Sequence, residues 1–554
     1  MKKHIFLAGV LMLLFSSCGD FLDYNENSDY DQNKLFNTTW SNTDFVTGIY
    51  AYLPGALNDV DGALRSAGCD EAEYVWPTSA IHRYYDGSWS ALRAVDDKWG
   101  HYYKAIRACN DYLEHGTGKD WKEFEFKKDY AKMMRKYRNL EWEVKALRAY
   151  YYFELVKRYN RIPLITKVLT EEEANSQEPV DYQTVIDFIV RECDEVAEDG
   201  RLPAIYNADY DNETGRVSKI FALALKARAL LYAASPLNNP NAETSPDKWI
   251  EAAKAAKKII DASGSWNLSL VPFDQLLGPD NFKAAEMILI KRIGDTNELE
   301  KLNFPIGLEG GKSGNCPTQN LVDAYDMKEG QEMDEANPYA NRDPRLAYTV
   351  LYHGGNTAYG KQVDVLPNGL NGLPQEGATK TGYYLSKFVN INVSLTANNT
   401  TTARHSIPLF RYAEVLLIYA EAMNEAYGPE GVTEELNISA RTAINMVRGR
   451  TGLGIAALTV EDVPSKTAFR LALRKERMAE LAFEDHRFWD IRRWKIGSET
   501  TKIKRVSISK AGEGLSFEYS VTADRTWDDS MYFYPIPQAE IYKNSKLVQN
   551  PGWK

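Results

Sequence analysis

RLALRKERMAELAFEDHRFWDIRRW, Arg470–Trp494, runs for about seven helical turns without a proline or glycine. Leu471, Met478, Leu481, Ala482 and Trp489 recur at intervals that put them on one helical face. Arg474 and Asp485 fall on that same face, where a charge is costly unless paired. Glu476, Glu480 and Glu484 run down the opposite side, each four residues from the next. Like charges at that spacing repel by about 0.2–0.5 kcal/mol per pair. Arg477 and Arg487 offset part of this. The remainder must come from cations on other helices, and Arg441, Arg448 and Arg450 lie on a second strong helical pattern. The stretch therefore predicts a central helix, charged on two sides and wrapped by other helices. An ion-paired scaffold is the favoured reading, and a carboxylate pair doing acid–base chemistry is the competing one.

Four segments in this half, in this order, carry a resemblance. They are FRYAEVLLIYAEA (Phe410–Ala422), INMVRGRTGL (Ile444–Leu453), the run LRKERMAELAFEDHRFWDIRRW, and the ending YPIPQAEIYKNSKLVQNPGW (Tyr534–Trp553). Their order and spacing resemble the C-terminal signature of the SusD/RagB family, the surface glycan-binding lipoproteins of Bacteroidetes. RAYYYFELVKRY leading into a PLI turn, NLVDAYDMKEGQ (Asn320–Gln331) and NRDPRLAYTVLYHG (Asn341–Gly354) extend the likeness over nearly the whole chain.

The 554 residues are 44% hydrophobic and 26% charged, an ordinary globular composition. A net charge of −11 disfavours a nucleic-acid binder. The cysteines at 18, 69, 109, 193 and 316 form no CxxC, and the seven histidines show no zinc spacing, so no metal or other cofactor is expected. Lys2 and Lys3, the apolar run Ile5–Phe15, then Ser16, Ser17 and Cys18 resemble a bacterial lipobox, with Phe15 where Leu is commoner. That run is too short for a mature membrane span. The expected organisation is a signal peptide (1–17), a lipidated Cys18 with an acidic tether (18–39), and one SusD-like domain (40–554), divided into an N-terminal part (40–264) and a loop-rich and C-terminal part (265–554).

Along the chain, helical pattern covers Trp40–Leu57 with Ser41 or Asn42 as cap, then Leu92–Glu114, Asn139–Tyr159, Tyr182–Ala197 and Arg216–Ala234. Another helix spans Trp249–Ala262, with Ser245 as cap, Pro246 at its first position and Gly264 beyond its end. Alanine-rich helix pairs of this length look like tetratricopeptide hairpins, although the strict repeat letters are absent. Residues 264–404 read as mostly irregular. Phe410–Tyr427 and Leu436–Arg450 precede the opening stretch, one β-hairpin turns at Gly512–Gly514, and a last short helix covers Gln538–Lys543. The fold class is mainly α, a SusD-like scaffold of paired helices with irregular loops and a small hairpin.

Sugar recognition needs flat aromatic faces for ring CH groups and planar polar groups for hydroxyls. Asn58–Trp89 is irregular and carries both. The resemblance implies ligand contacts from this region and from loops ahead of the C-terminal helices. The candidates are Asp59, Asp70, Trp76, Arg83, Tyr84 and Trp89, joined by Asn315, Cys316 and Arg404. The loop Asn207–Gly215 alternates Asp209, Asp211 and Glu213 but lacks the glycine and glutamate of an EF-hand, so a solvated loop is the better reading. No GxSxG or phosphate-loop motif occurs, and no catalytic residue is named. The resemblance implies an outer-membrane lipoprotein facing the exterior. It would capture oligo- or polysaccharide for a SusC-like TonB-dependent transporter and would not be an enzyme. A peptide-binding lipoprotein and a glycoside hydrolase are the alternatives.

Overall fold

The computed structural model describes residues 35–55, 58–206 and 213–553. The signal and lipidation calls at 1–18, most of the tether and Asp209 and Asp211 lie outside them. The long helices are α1 (Thr39–Tyr50), α2 (Trp99–His115), α3 (Tyr130–Tyr159), α4 (Tyr182–Val196), α5 (Lys219–Ala234), α6 (Asp247–Ala262), α7 (Tyr412–Tyr427), α8 (Ala440–Arg448) and α9 (Lys466–Glu480). The short α10 (Arg487–Arg493) and α11 (Gln538–Lys543) follow. From α2 to α8 each helix packs on the next, and α9 packs back on α7. Ala222, Ala224, Ala227, Ala252, Ala253 and Ala256 are buried on α5 and α6, where small side chains permit close approach. One continuous apolar core runs from Phe36 to Leu547. No helix among the described residues is long and apolar enough to cross a membrane.

Local chemistry sets most helix starts. Asp181, Ser218, Ser439 and Ser465 accept hydrogen bonds from the first-turn amides of α4, α5, α8 and α9. Two expected caps differ. Thr38 caps α1, with Ser41 as its reciprocal partner in a capping box. At α6 the capping position is taken by Pro246, and Ser245 Oγ lies 3.5 Å from the Asp247 amide, so it closes no cap.

The irregular middle contains a ribbon that the sequence did not suggest. β2 (Met287–Thr296) pairs antiparallel with β4 (Ala403–Arg411), which leads directly into α7. The short β1 (Ala72–Tyr74) pairs with β3 (Asn315–Pro317). The expected hairpin is β5 (Lys502–Ala511) with β6 (Gly514–Asp524), in a register that sets Phe517 opposite Ile508 and Tyr519 opposite Val506.

Arg470–Trp494 is not one helix. α9 stops at Glu480, and Phe483 and Asp485 adopt left-handed φ of 59° and 64° before α10 begins. The break turns the Phe483 amide toward the buried Glu71 carboxylate (3.1 Å) and Asp485 toward Arg65 (2.5 Å). Leu471, expected inside, is 61% exposed, whereas Glu476 and Glu480 are buried. Arg448 pairs Glu476 (2.9 Å) and Arg450 pairs Glu480 (2.5 Å), as the charge pattern requires. Arg441 pairs Glu430 instead, while Arg477 and Arg487 serve Asp490 (2.8 Å) and Asp70 (2.7 Å). The missing cations come from outside the helical pattern. Arg345 Nη1 reaches both Glu476 (2.6 Å) and Glu480 (2.7 Å). Arg411 links Glu286 (2.8 Å), Glu480 (2.6 Å) and Glu484 (2.7 Å). These guanidiniums hold the Glu480 and Glu484 carboxyls below the usual carboxylate range, against burial that acts the other way.

Candidate functional site

The β1–β3 pairing joins segments far apart in sequence, with Tyr74 opposite Asn315 and Ala72 opposite Pro317. The Val75 amide continues it to the Gly314 carbonyl (3.0 Å), and Trp76 closes it by donating its indole N–H to the Lys312 carbonyl (2.7 Å). Trp76 is half-buried, held by its edge. Its carbonyl accepts from His82 Nε2 (2.9 Å), so that nitrogen carries the proton and Nδ1 accepts from the Tyr85 hydroxyl (2.7 Å). Arg83, next to His82 on the same 3₁₀ turn, is half-buried and forms no ion pair among the described residues.

Three further loops meet around Trp76. Gly377, at φ +78°, lies against the indole, where a Cβ would sit 3.1 Å from the ring. Asn371 Nδ2 donates to the Ile306 carbonyl (2.5 Å). Gly307, at φ +87°, lies so close to the Leu370 carbonyl that any Cβ would clash with it. The Leu395 amide donates to the Tyr359 hydroxyl (2.6 Å), and the Ala397 amide to Glu309 Oε1 (3.0 Å). Segments 305–314, 355–377 and 390–397 thus form one loop face on which Tyr359, Leu370, Leu373 and Ile391 keep about two-fifths or more of their surface exposed. Single exposed apolar residues need no explanation, but a cluster on one loop face marks a contact surface. Tyr359, Leu370 and Ile391 gave no signal in the sequence because nothing periodic separates them from their inward-facing neighbours.

The other candidates go elsewhere. Tyr84 and Trp89 are core residues: the Tyr84 hydroxyl bonds that of Tyr534 (2.7 Å), and Trp89 packs edge-on against Tyr84, Tyr534 and Trp553 with centroids 4.9 Å apart in each case. Asp70 is buried in a two-pronged pair with Arg487. Asn315 is fully buried, accepting from the Leu64 amide (2.9 Å) and donating to Asn303 (2.8 Å). Cys316 is fully buried beside Val75, Val363 and Tyr384, and burial pushes its thiol up to about 12. These five have no surface to offer a ligand, because an irregular backbone can still turn its side chains inward. Arg404 is exposed at the end of the β2–β4 ribbon, 3.6 Å from Asp295.

Asp59 borders a partly open pocket of about 80 Å³ with Arg65, Lys157, Asp485, His486 and Trp489. That space admits waters rather than a sugar chain. Burial pushes Lys157 down to about 8, with Glu154 acting against it, and desolvation holds His486 well below its ordinary value. Cys69, Cys109, Cys193 and Cys316 are all buried free thiols. Burial pushes the Glu71 carboxyl up to about 7, but Glu71 sits in the core. A glycosidase needs two carboxyls flanking an open cleft.

Comparison with known proteins defines the class. The SusD family profile matches residues 294–553. A SusD-like protein of Formosa agariphila is 25% identical over 426 residues, covering 74% of this chain and 73% of that one. Another from the same organism is 33% identical over 160 residues, 28% of this chain and 27% of its own length. Among solved structures, a SusD-like protein of Bacteroides fragilis superposes with a TM-score of 0.76 at 25% identity, over 94% of this chain and 98% of that one. A SusD-like carbohydrate-binding protein of the same species gives 0.73 at 24% identity, over 93% and 100%. Residues 294–553 thus match the SusD family, and the chain is similar to SusD-like proteins over nearly its whole length.

Proposed function

We propose that this chain is a cell-surface carbohydrate-binding lipoprotein that takes up oligo- or polysaccharide on the Trp76 loop face. The carrying observation is that two irregular segments more than two hundred residues apart in sequence are tied together there, leaving a half-buried indole held by its N–H among loops that also carry the exposed Tyr359. An indole held by its N–H can stack on a sugar ring without first being ordered, which lowers the entropic cost of binding. One solved relative is described as a laminarin-binding SusD-like protein, with a TM-score of 0.62 at 22% identity over 93% of this chain and 99% of that one. Lipidation at Cys18, outer-membrane location and hand-over to a SusC-like transporter complete the proposal. They rest on the lipobox-like sequence and on the family match.

The test is electrophoresis of purified protein through gels holding single polysaccharides, with reducing ends assayed in parallel. At least one neutral polymer should retard the protein without being shortened, and Trp76→Ala should lose about tenfold or more in affinity, the worth of a stacked ring. Retardation unaffected by Trp76→Ala would remove the site. Release of reducing ends would favour a hydrolase.

A further inference from the structure

A concavity on the helical body lies away from the Trp76 face, between α2, the crossing segment 163–175 and α11. It encloses about 300 Å³, the lower end of the range for small-ligand pockets. Its floor is apolar, with Tyr103, Ile106, Leu169 and Leu547. Its wall is braced from behind. The Tyr103 hydroxyl donates to the Pro163 carbonyl (2.8 Å), Asn110 Nδ2 to the carbonyls of Ile165 (3.1 Å) and Lys167 (3.2 Å), and Arg107 to that of Leu169 (3.0 Å).

The rim has an unusual charge balance for a chain of net charge −11. Lys104, Arg107 and Lys167 border the groove, are exposed, and form no ion pair among the described residues. Of the residues lining it, Glu540 is the one carboxylate, and it is taken by Lys543 at 2.8 Å. Elsewhere in the body the buried arginines meet carboxylates at short range. Three cations border an apolar floor, and although Lys167 also feels Glu173 beside the groove, the rim attracts a ligand with negative charge at its edge and CH surface on its face. A small rigid concavity favours a sugar unit over an extended peptide, which would need a longer trough.

We infer that this groove is a second binding site, for an acidic saccharide unit bearing a carboxylate or a sulfate ester. The inference builds on the carbohydrate-binding reading but uses different residues and a different charge. Tyr103 and Leu547 offer the surface for the ring, and Lys104, Arg107 and Lys167 meet the anionic group. Rim charges act partly through long-range attraction, so binding weakens with salt.

Titration calorimetry at low ionic strength, with tetragalacturonate for the carboxylate and a heparin-derived tetrasaccharide for the sulfate, tests this. Wild type should bind at least one of them, and the double variant Lys104→Glu/Lys167→Glu should bind it about tenfold or more weakly. Lys127→Glu/Lys128→Glu, with the same change in net charge at exposed positions elsewhere, should bind like wild type. Neutral polymers should still be held by the Lys104/Lys167 variant and lost by Trp76→Ala, so the two sites fail separately. No binding of either acidic probe, equal weakening in both double variants, or equal affinity for deca-glutamate would each overturn the inference.

Discussion

Replacing Glu480 with glutamine should cost about 3 kcal/mol of folding stability. Around this carboxylate the protein buries five acids, Glu286, Asp343, Glu476, Glu480 and Glu484, and five cations, Lys387, Arg345, Arg411, Arg448 and Arg450. They are linked by ion pairs of 2.5–2.9 Å. The charges balance, and Glu480 alone contacts three guanidiniums. Removing one partner from a buried pair typically costs about 3–5 kcal/mol, because a charge is left without an opposite. The low end applies here. Arg345 keeps Asp343 and Glu476, Arg411 keeps Glu286 and Glu484, and Arg450 keeps Glu286. Glutamine preserves volume, so no cavity term is added. Urea unfolding should then move its midpoint down by about 1 M for a slope of about 3 kcal/mol per M. Glu243→Gln, at a 63% exposed partner of Arg470, should shift stability by less than about 0.5 kcal/mol. Acid adds a sign. The folded Glu480 carboxyl lies below 4.5, so its contribution is complete above that pH and disappears as pH falls through the folded value. Glu480→Gln should accordingly lose less stability than wild type on acidification below about 4.5. A midpoint shift worth less than about 1 kcal/mol, or an unchanged acid limb, would refute the reasoning.

Glu71→Gln should act in the opposite direction. Its folded carboxyl is raised by burial to about 7, above an unfolded value near 4.5, so wild type loses stability as pH climbs between those values. The variant should gain on the order of 2–3 kcal/mol at pH 8 and almost nothing at pH 4, read from urea midpoints; no difference between the two pH values would sink the assignment. Gly377→Ala adds a methyl 3.1 Å from the Trp76 ring at a left-handed φ of +78°. It should weaken retention by whichever neutral polymer the protein binds several-fold while leaving the helical circular dichroism signal unchanged. Unaltered retention would detach Trp76 from ligand contact.

The helical scaffold could be read from the sequence because burial of one helical face repeats every three to four residues, and α4, α5, α7 and α11 begin and end within about three residues of their patterns. Arg470–Trp494 shows where this stops. Its periodicity is compatible with a straight helix, and the break at Phe483–Asp485 exists because Glu71 and Arg65, some four hundred residues away, draw that backbone into a left-handed turn. Charge bookkeeping along the stretch required outside cations. Arg448 and Arg450 were identifiable because they sit on a helical pattern, whereas Arg345 lies on a short helix in a segment without a period and Arg411 ends a strand at the very start of the Phe410–Tyr427 pattern. The same absence of period explains the site. Trp76 and Trp89 are indistinguishable in a sequence of mixed glycines, aromatics and charges, yet one is tied at the surface by the Lys312 carbonyl and the other is locked between Tyr534 and Trp553. What fixes Trp76 is a strand pairing, the bond to the Lys312 carbonyl and the close approach of Gly377, none of which alters helix packing. The loops can therefore change their aromatic and polar residues without disturbing the ten-charge centre that holds α8, α9 and the β2–β4 ribbon together, and ligand choice can vary while the frame is kept.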